Sequence, residues 1–371
     1  MLFAFVPGDT EMVFLFPLGV LVWCCASLAD AQAFSVLGDA ERLRVAVGEW
    51  LVDAVSAEAT YGHISTWNTT GVRDMSSLFK GARSFNESIG DWDTSSVSDM
   101  SSMFATPTVF DQPIGGWSTS EVRDMSNMFF DARAFNEDIS AWDTGRVEST
   151  SFMFFGTYTF DGDIGGWNTS SLAKVDFMFA FTKSFNQDIS RWDMSRVEST
   201  ARMFRSASAF DQDLGAWDTG SVQDMEDMFM DAVSFDGDIG AWDVSNVTTM
   251  SQMFSGAAAF NRDIGDWDTR NLKVVSGMFQ NATAFNQDIS QWDTSSLRSL
   301  YNVFEGATAF SYTICWTFSD PLLYGYVYAP ASLTQPPIYD ADCADCPCAT
   351  SAPTLMPTPM PSTLPTALPS L

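Results

Sequence analysis

Carboxylates at a fixed 25-residue spacing are the groups in this chain best placed to do chemistry. One file runs Asn86, Asp111, Asn136, Asp161, Asn186, Asp211, Asp236, Asn261 and Asn286. A second, two residues on, runs Asp138, Asp163, Asp188, Asp213, Asp238, Asp263 and Asp288. A third holds Asp93, Asp143, Asp193, Asp218, Asp243, Asp268 and Asp293. Stacked at the ~4.8 Å separation of paired backbone, ionised files repel unless they spread, accept backbone N–H bonds or share a cation. Asx-type turns that satisfy backbone donors are the structural expectation. Calcium bridging between units is the ligand-binding one, with Asp163, Asp188, Asp213, Asp238 and Asp263 as candidate ligands, because that ion takes oxygen donors. A catalytic carboxylate pair is a third reading, although a reaction centre should break a repeat rather than obey it.

Other reactive groups are few. His63 is the one histidine, and its YGHIS context holds no nucleophile elbow, so a Ser-His-Asp base is not expected. Phosphate-cradling Gly loops and H-E-x-x-H are absent, and no cofactor is expected beyond possible calcium. Cys24 and Cys25 lie in an N-terminal apolar run, leaving Cys315, Cys343, Cys346 and Cys348 clustered after the repeats. In an oxidising compartment these read as two disulfides with three open connectivities, while the C-x-x-C-x-C spacing without a nearby His is a weaker zinc reading. Of the N-x-S/T sequons at Asn68, Asn86, Asn168, Asn246 and Asn281, the best glycosylation candidates are Asn246 and Asn281.

The elements that must position these groups follow from the same period. Trp recurs at 67, 92, 117 and onward to 292, with Phe files from Phe79 to Phe304 and from Phe85 to Phe310, and an Ile file from Ile89 to Ile314 with Leu214 substituting once. Such a period indicates a solenoid in which each unit buries its apolar side only against its neighbours. Val72, Met75, Phe79 and Ala82, with Leu78 beside Phe79, follow the i, i+3, i+4, i+7 rule, which predicts a short helical turn ended by Gly81. From Phe85 to Trp92 polar residues nearly alternate with Ile89 and Trp92, which predicts a short strand pairing in parallel with its copies. Which segment lines the concave face is left open.

Stretches such as VQDMEDMFMDAVSFDGDIGAWD at Val222 and VTTMSQMFSGAAAFNRDIGDWD at Val247 resemble the BspA-like leucine-rich repeat surface proteins, with their DUF285-type repeat of about 25 residues. The resemblance covers Thr66 to about Ala309. It implies a leucine-rich-repeat-like solenoid at a cell surface or outside the cell, with no catalytic residues and diverse partners. Departures are modest: Thr150, Val175, Thr200, Val275 and Leu300 replace the Met of the Met75 position, and Pro113 should remove one ladder donor.

The expected organisation is a signal peptide over 1–31, an N-terminal cap helix within 32–65, and ten repeats over 66–311. A Cys-containing cap over 312–348 and a Pro/Thr/Ser-rich tail over 349–371 complete it. Asp39 is the predicted N-cap, with Leu43, Val47, Trp50 or Leu51, and Ala54 on one helical face. The segment Met12–Ala31 reads as a secretory signal ending Ala29-Asp30-Ala31, with an uncleaved anchor as the alternative. A net charge of −29 argues against nucleic acid. The expectation is a non-enzymatic, secreted or cell-surface protein that binds a protein, glycan or matrix ligand. A secreted carbohydrate-active hydrolase and a calcium-dependent wall or scale protein are the alternatives.

Overall fold

The computed structural model describes residues 39–312, Ile314 and Trp316. Cys315, Cys343, Cys346, Cys348, the N-terminal segment over 1–31 and the tail from Ala349 lie outside the described residues. Helix α1 spans Ala40–Val52, its start capped by the Asp39 carboxylate accepting from Glu41 N. Asp53 ends α1 and caps α2, Ala54–Tyr61, through Ser56. That break turns Ala54 outward, so α1 buries Leu43, Ala46, Val47 and Trp50, whereas Leu51 is 41% exposed. The Trp50 ring meets Trp67 edge-on, and Arg44 pairs with Asp74 at 2.7 Å, seating the helices on the first coil.

The repeats fold differently from the leucine-rich-repeat-like expectation. Among the described residues the only two α-helices precede the repeats, and there is no strand. Strand-type pairing among the described residues is limited to eight isolated parallel bridges, such as Asp74 to Asp99 and Asp224 to Thr249, with none between Lys174 and Ser199. Each coil is a chain of turns.

The predicted helical turn fails for a reason visible in its backbone. In the coil around Phe229, the N–H groups of Met225, Asp227, Phe229 and Asp231 donate to Thr249, Ser251, Met253 and Ser255 of the next coil, at 3.1, 2.9, 2.9 and 2.7 Å. The intervening Met228, Met230 and Ala232 donate three residues back within the coil. A helix would keep every one of these donors for itself. The alternation is made possible by two left-handed residues per coil: one file runs Ser77, Ser102, Asn127, Phe152, Phe177, Arg202, Asp227, Gln252, Gly277 and Asn302, and the other runs from Gly81 to Gly306. The apolar stripe itself survives, since Val222, Met225, Met228, Phe229 and Ala232 are all buried.

The predicted strand fails because side chains replace its backbone ladder. Asp236 Oδ1 accepts the N–H of Asn261 in the next coil at 2.9 Å, and Trp242 N closes a turn onto Ile239 O at 3.2 Å. Pro113 therefore falls where no backbone ladder exists to interrupt. The core comprises the expected ring files. Phe79 stacks on Phe85 within a coil at 4.1 Å and on Phe104 of the next at 5.5 Å. Each indole reaches back: Trp217 Nε1 donates to Ile189 O at 3.0 Å, and the same bond repeats from Trp92 through Trp316.

Candidate binding face

Three files of Asn and Asp hold the candidate groups, and as the Asx-turn expectation has it, each accepts backbone N–H bonds, from the next coil or from two residues on. In the first, every side-chain oxygen accepts the N–H one period on, from Asn86 to Asp111 N at 2.9 Å through to Asn286 and Ser311 N at 2.9 Å. The third forms Asx turns two residues on, as in Asp193 with Ser195 N at 3.0 Å and Ser195 Oγ at 2.6 Å. That hydroxyl, followed by the backbone N–H, holds the Asp193 carboxyl below its ordinary range. Among the calcium candidates, Asp163, Asp188, Asp238 and Asp263 accept from Gly165, Ser190, Gly240 and Gly265 N at 2.9–3.1 Å. Asp213 differs, accepting Asp238 N of the next coil at 2.8 Å. Among the described residues no group of three or more His, Cys, Asp or Glu side chains converges as a metal site.

Of the glycosylation candidates, Asn246 is exposed but its Nδ2 donates to Gly220 O at 2.7 Å, and Asn281 is exposed at a left-handed φ of 57°. His63 accepts from Ser65 at the 3₁₀ turn Ile64–Thr66, lies 3.9 Å from Glu87, and meets Trp50 edge-on.

A second surface was not foreseen. Ten Phe fill each core file, yet five more, Phe130, Phe152, Phe155, Phe177 and Phe181, sit within the repeats out of register with both. They cluster on the outer turn of three consecutive coils. Phe152 stacks on Phe177 at 4.4 Å and Phe130 on Phe155 at 4.7 Å, while Phe155 meets Phe181 edge-on at 5.1 Å. The first four are half-buried and Phe181 is 38% exposed. Phe152, Phe177 and Phe181 hold φ of 59°, 58° and 61°, in files where other coils place mostly Ser, Asn, Asp or Gly. A bulky residue there costs on the order of 1–3 kcal/mol.

Two cations stand over ridge rings and two over the separate ring of Tyr158. Arg202 lies 5.2 Å over Phe177, Arg205 lies 6.0 Å over Phe181, and Arg133 and Lys183 lie 5.2 and 4.4 Å from the Tyr158 ring. Arg202 and Arg205 converge on the buried Asp227 carboxylate at 3.0 and 2.7 Å, and Arg202 also pairs with Glu226. The signal in the sequence was the off-register Phe set, which emerges once the two core files are subtracted.

Three stretches, 49–157, 136–231 and 212–316, match a family model described as Mycoplasma protein of unknown function, DUF285. No curated protein and no solved structure matches the chain.

Proposed function

The chain belongs to the DUF285 family, and from that premise we propose that it is a non-catalytic binding protein that takes a macromolecular ligand on its phenylalanine ridge. The observation that carries this reading is that Phe152 and Phe177, half-buried, and Phe181, exposed, hold left-handed backbone at places where other coils carry mostly Ser, Asn, Asp or Gly. Contiguous exposed apolar surface and local strain both mark sites kept for something other than stability. The carboxylate files support the same reading, since the first holds coil to coil and the other two mainly close turns within a coil through one oxygen each.

The setting we propose is a cell surface or the extracellular space, with a protein, glycan or matrix component as ligand. It rests on the apolar segment Met12–Ala31, the clustered late cysteines, the sequons and the motif likeness to BspA-like surface proteins. The test is retention of beads carrying the chain on a panel of immobilised matrix proteins and glycans. F152S/F177S places at both positions the residue that Ser77 and Ser102 already supply. Retention should fall about tenfold for that variant, about 1.4 kcal/mol. Equal retention would refute the ridge as the binding face, and turnover of any glycan on the panel would refute the non-catalytic reading.

A further inference from the structure

Resting on the ridge as binding face, we infer that its occupant is a basic polypeptide segment bearing large apolar side chains, not a sugar and not an acidic peptide. A sugar docks by laying its C–H face flat on an open aromatic face. Here the faces are largely taken. Phe152 and Phe177 cover each other at an interplanar angle of 12°, Phe130 and Phe155 at 1°, and Arg202 and Arg205 stand over Phe177 and Phe181. What remains outward is chiefly ring edge, which suits aliphatic and aromatic side chains and peptide carbonyls.

The four cations suggest an acidic partner at first sight, but three are already matched. Arg133 is held by Asp131 at 2.8 Å, Arg205 by Asp227, and Arg202 by Asp227 and Glu226. Breaking those pairs would strand Asp227, which is 4% exposed, without its partners. Asp176, next to Phe177 in the chain, is half-buried and accepts from Ser199, and the chain as a whole carries 47 acidic against 18 basic residues. A field of that sign speeds encounter with a basic partner and repels an acidic one. A second copy of this chain is disfavoured on the same ground. The ridge therefore has the anatomy of a protein interface: an aromatic and Arg centre that excludes water, on an acidic chain whose field selects the partner's sign.

The experiment uses the full chain as bait for a random 12-residue peptide display library and, in parallel, for an oligosaccharide array, with F152S/F177S as counter-selection. The variant's melting curve is recorded first, and F181G, which installs the residue found at Gly81, Gly156, Gly256 and Gly306, serves as a second variant. The expected winners combine Lys or Arg with Leu, Ile, Phe or Trp, bind the parent chain at least ~10-fold more tightly than either variant, and weaken as salt is raised. Acidic or uncharged winners, or sugars retained by the parent and released by the variants, would overturn the partner chemistry while leaving the ridge as a binding face. If no peptide and no sugar distinguishes parent from variants, the binding-face reading falls as well.

Discussion

Gly237 shows how one missing methyl sets a local connection between coils. A Cβ built there would sit 2.1 Å from the backbone oxygen of Gln212, and that close approach coincides with the departure of Asp213 from its file. With the backbones drawn together, Asp238 N reaches Asp213 Oδ1 at 2.8 Å, and Leu214 N donates to Asp238 O at 3.0 Å. Gly237→Ala should therefore cost about 1–3 kcal/mol, since a carbonyl cannot yield as a flexible side chain can. Gly215→Ala is the control: its nearest atom would lie at 3.5 Å, an ordinary contact, and the change should stay within about 0.5 kcal/mol. Urea denaturation of both variants checks the difference, and hydrogen exchange at the Asp238 amide reports whether that bond is lost. The role of Gly237 could not be read from the chain, because the same place carries Glu, Gln or Arg in most other coils and Gly again only at Gly162. The ridge was legible only in part, since each off-register Phe looks like core until the two files are counted out.

At the scale of one coil, inside and outside were correctly separable while the backbone path was not. Met225, Phe229 and Ala232 lie on one side of a helix and equally on the inner side of a run of turns, so apolar spacing alone cannot choose between them. What decides is where the N–H groups go, and half of them serve the neighbouring coil. The hint was present in Gly81, Gly156, Gly256 and Gly306, which permit a left-handed residue in mid-stripe, yet Ser, Asp and Phe occupy the same files. The strand reading failed because Asn and Asp can stand in for a backbone acceptor, which alternation does not reveal. Acid sensitivity belongs to another file, the Asx turns that follow each Trp. The Ser195 hydroxyl and N–H lower the folded-state pKa of Asp193 below its unfolded value. Its contribution is complete above the unfolded pKa and is lost as pH falls below about 4 toward the folded one. Ser195→Ala should raise the Asp193 pKa toward the ordinary carboxylate value, as followed by carbon-detected NMR titration. An unmoved Asp193 titration would mean that the hydroxyl contributes nothing.

Across the whole molecule, stability belongs to contacts between coils, since ring stacks, indole bonds and the Asn/Asp ladder all join residues about one period apart. Such an array behaves as a sum of units and nearest-neighbour interfaces. Length should then matter less than register. Deleting Asp243–Trp267 joins Trp242 to Asp268, which is the residue type that normally follows, so every downstream file closes on its predecessor. That variant should unfold in one transition, with the urea m-value reduced by about a tenth because one coil's surface no longer takes part. Deleting only 243–254 puts Ser255 after Trp242 and throws all later Trp, Phe and Asn positions out of line with those before. Its coils then meet across a junction where rings face polar groups and no indole finds its carbonyl, leaving buried donors unpaired at about 1–3 kcal/mol each. Tryptophan fluorescence during urea denaturation should show a split or much shallower transition for the out-of-register deletion. Indistinguishable curves for the two deletions would mean that the coils do not communicate through their files, and the stacking account would fail.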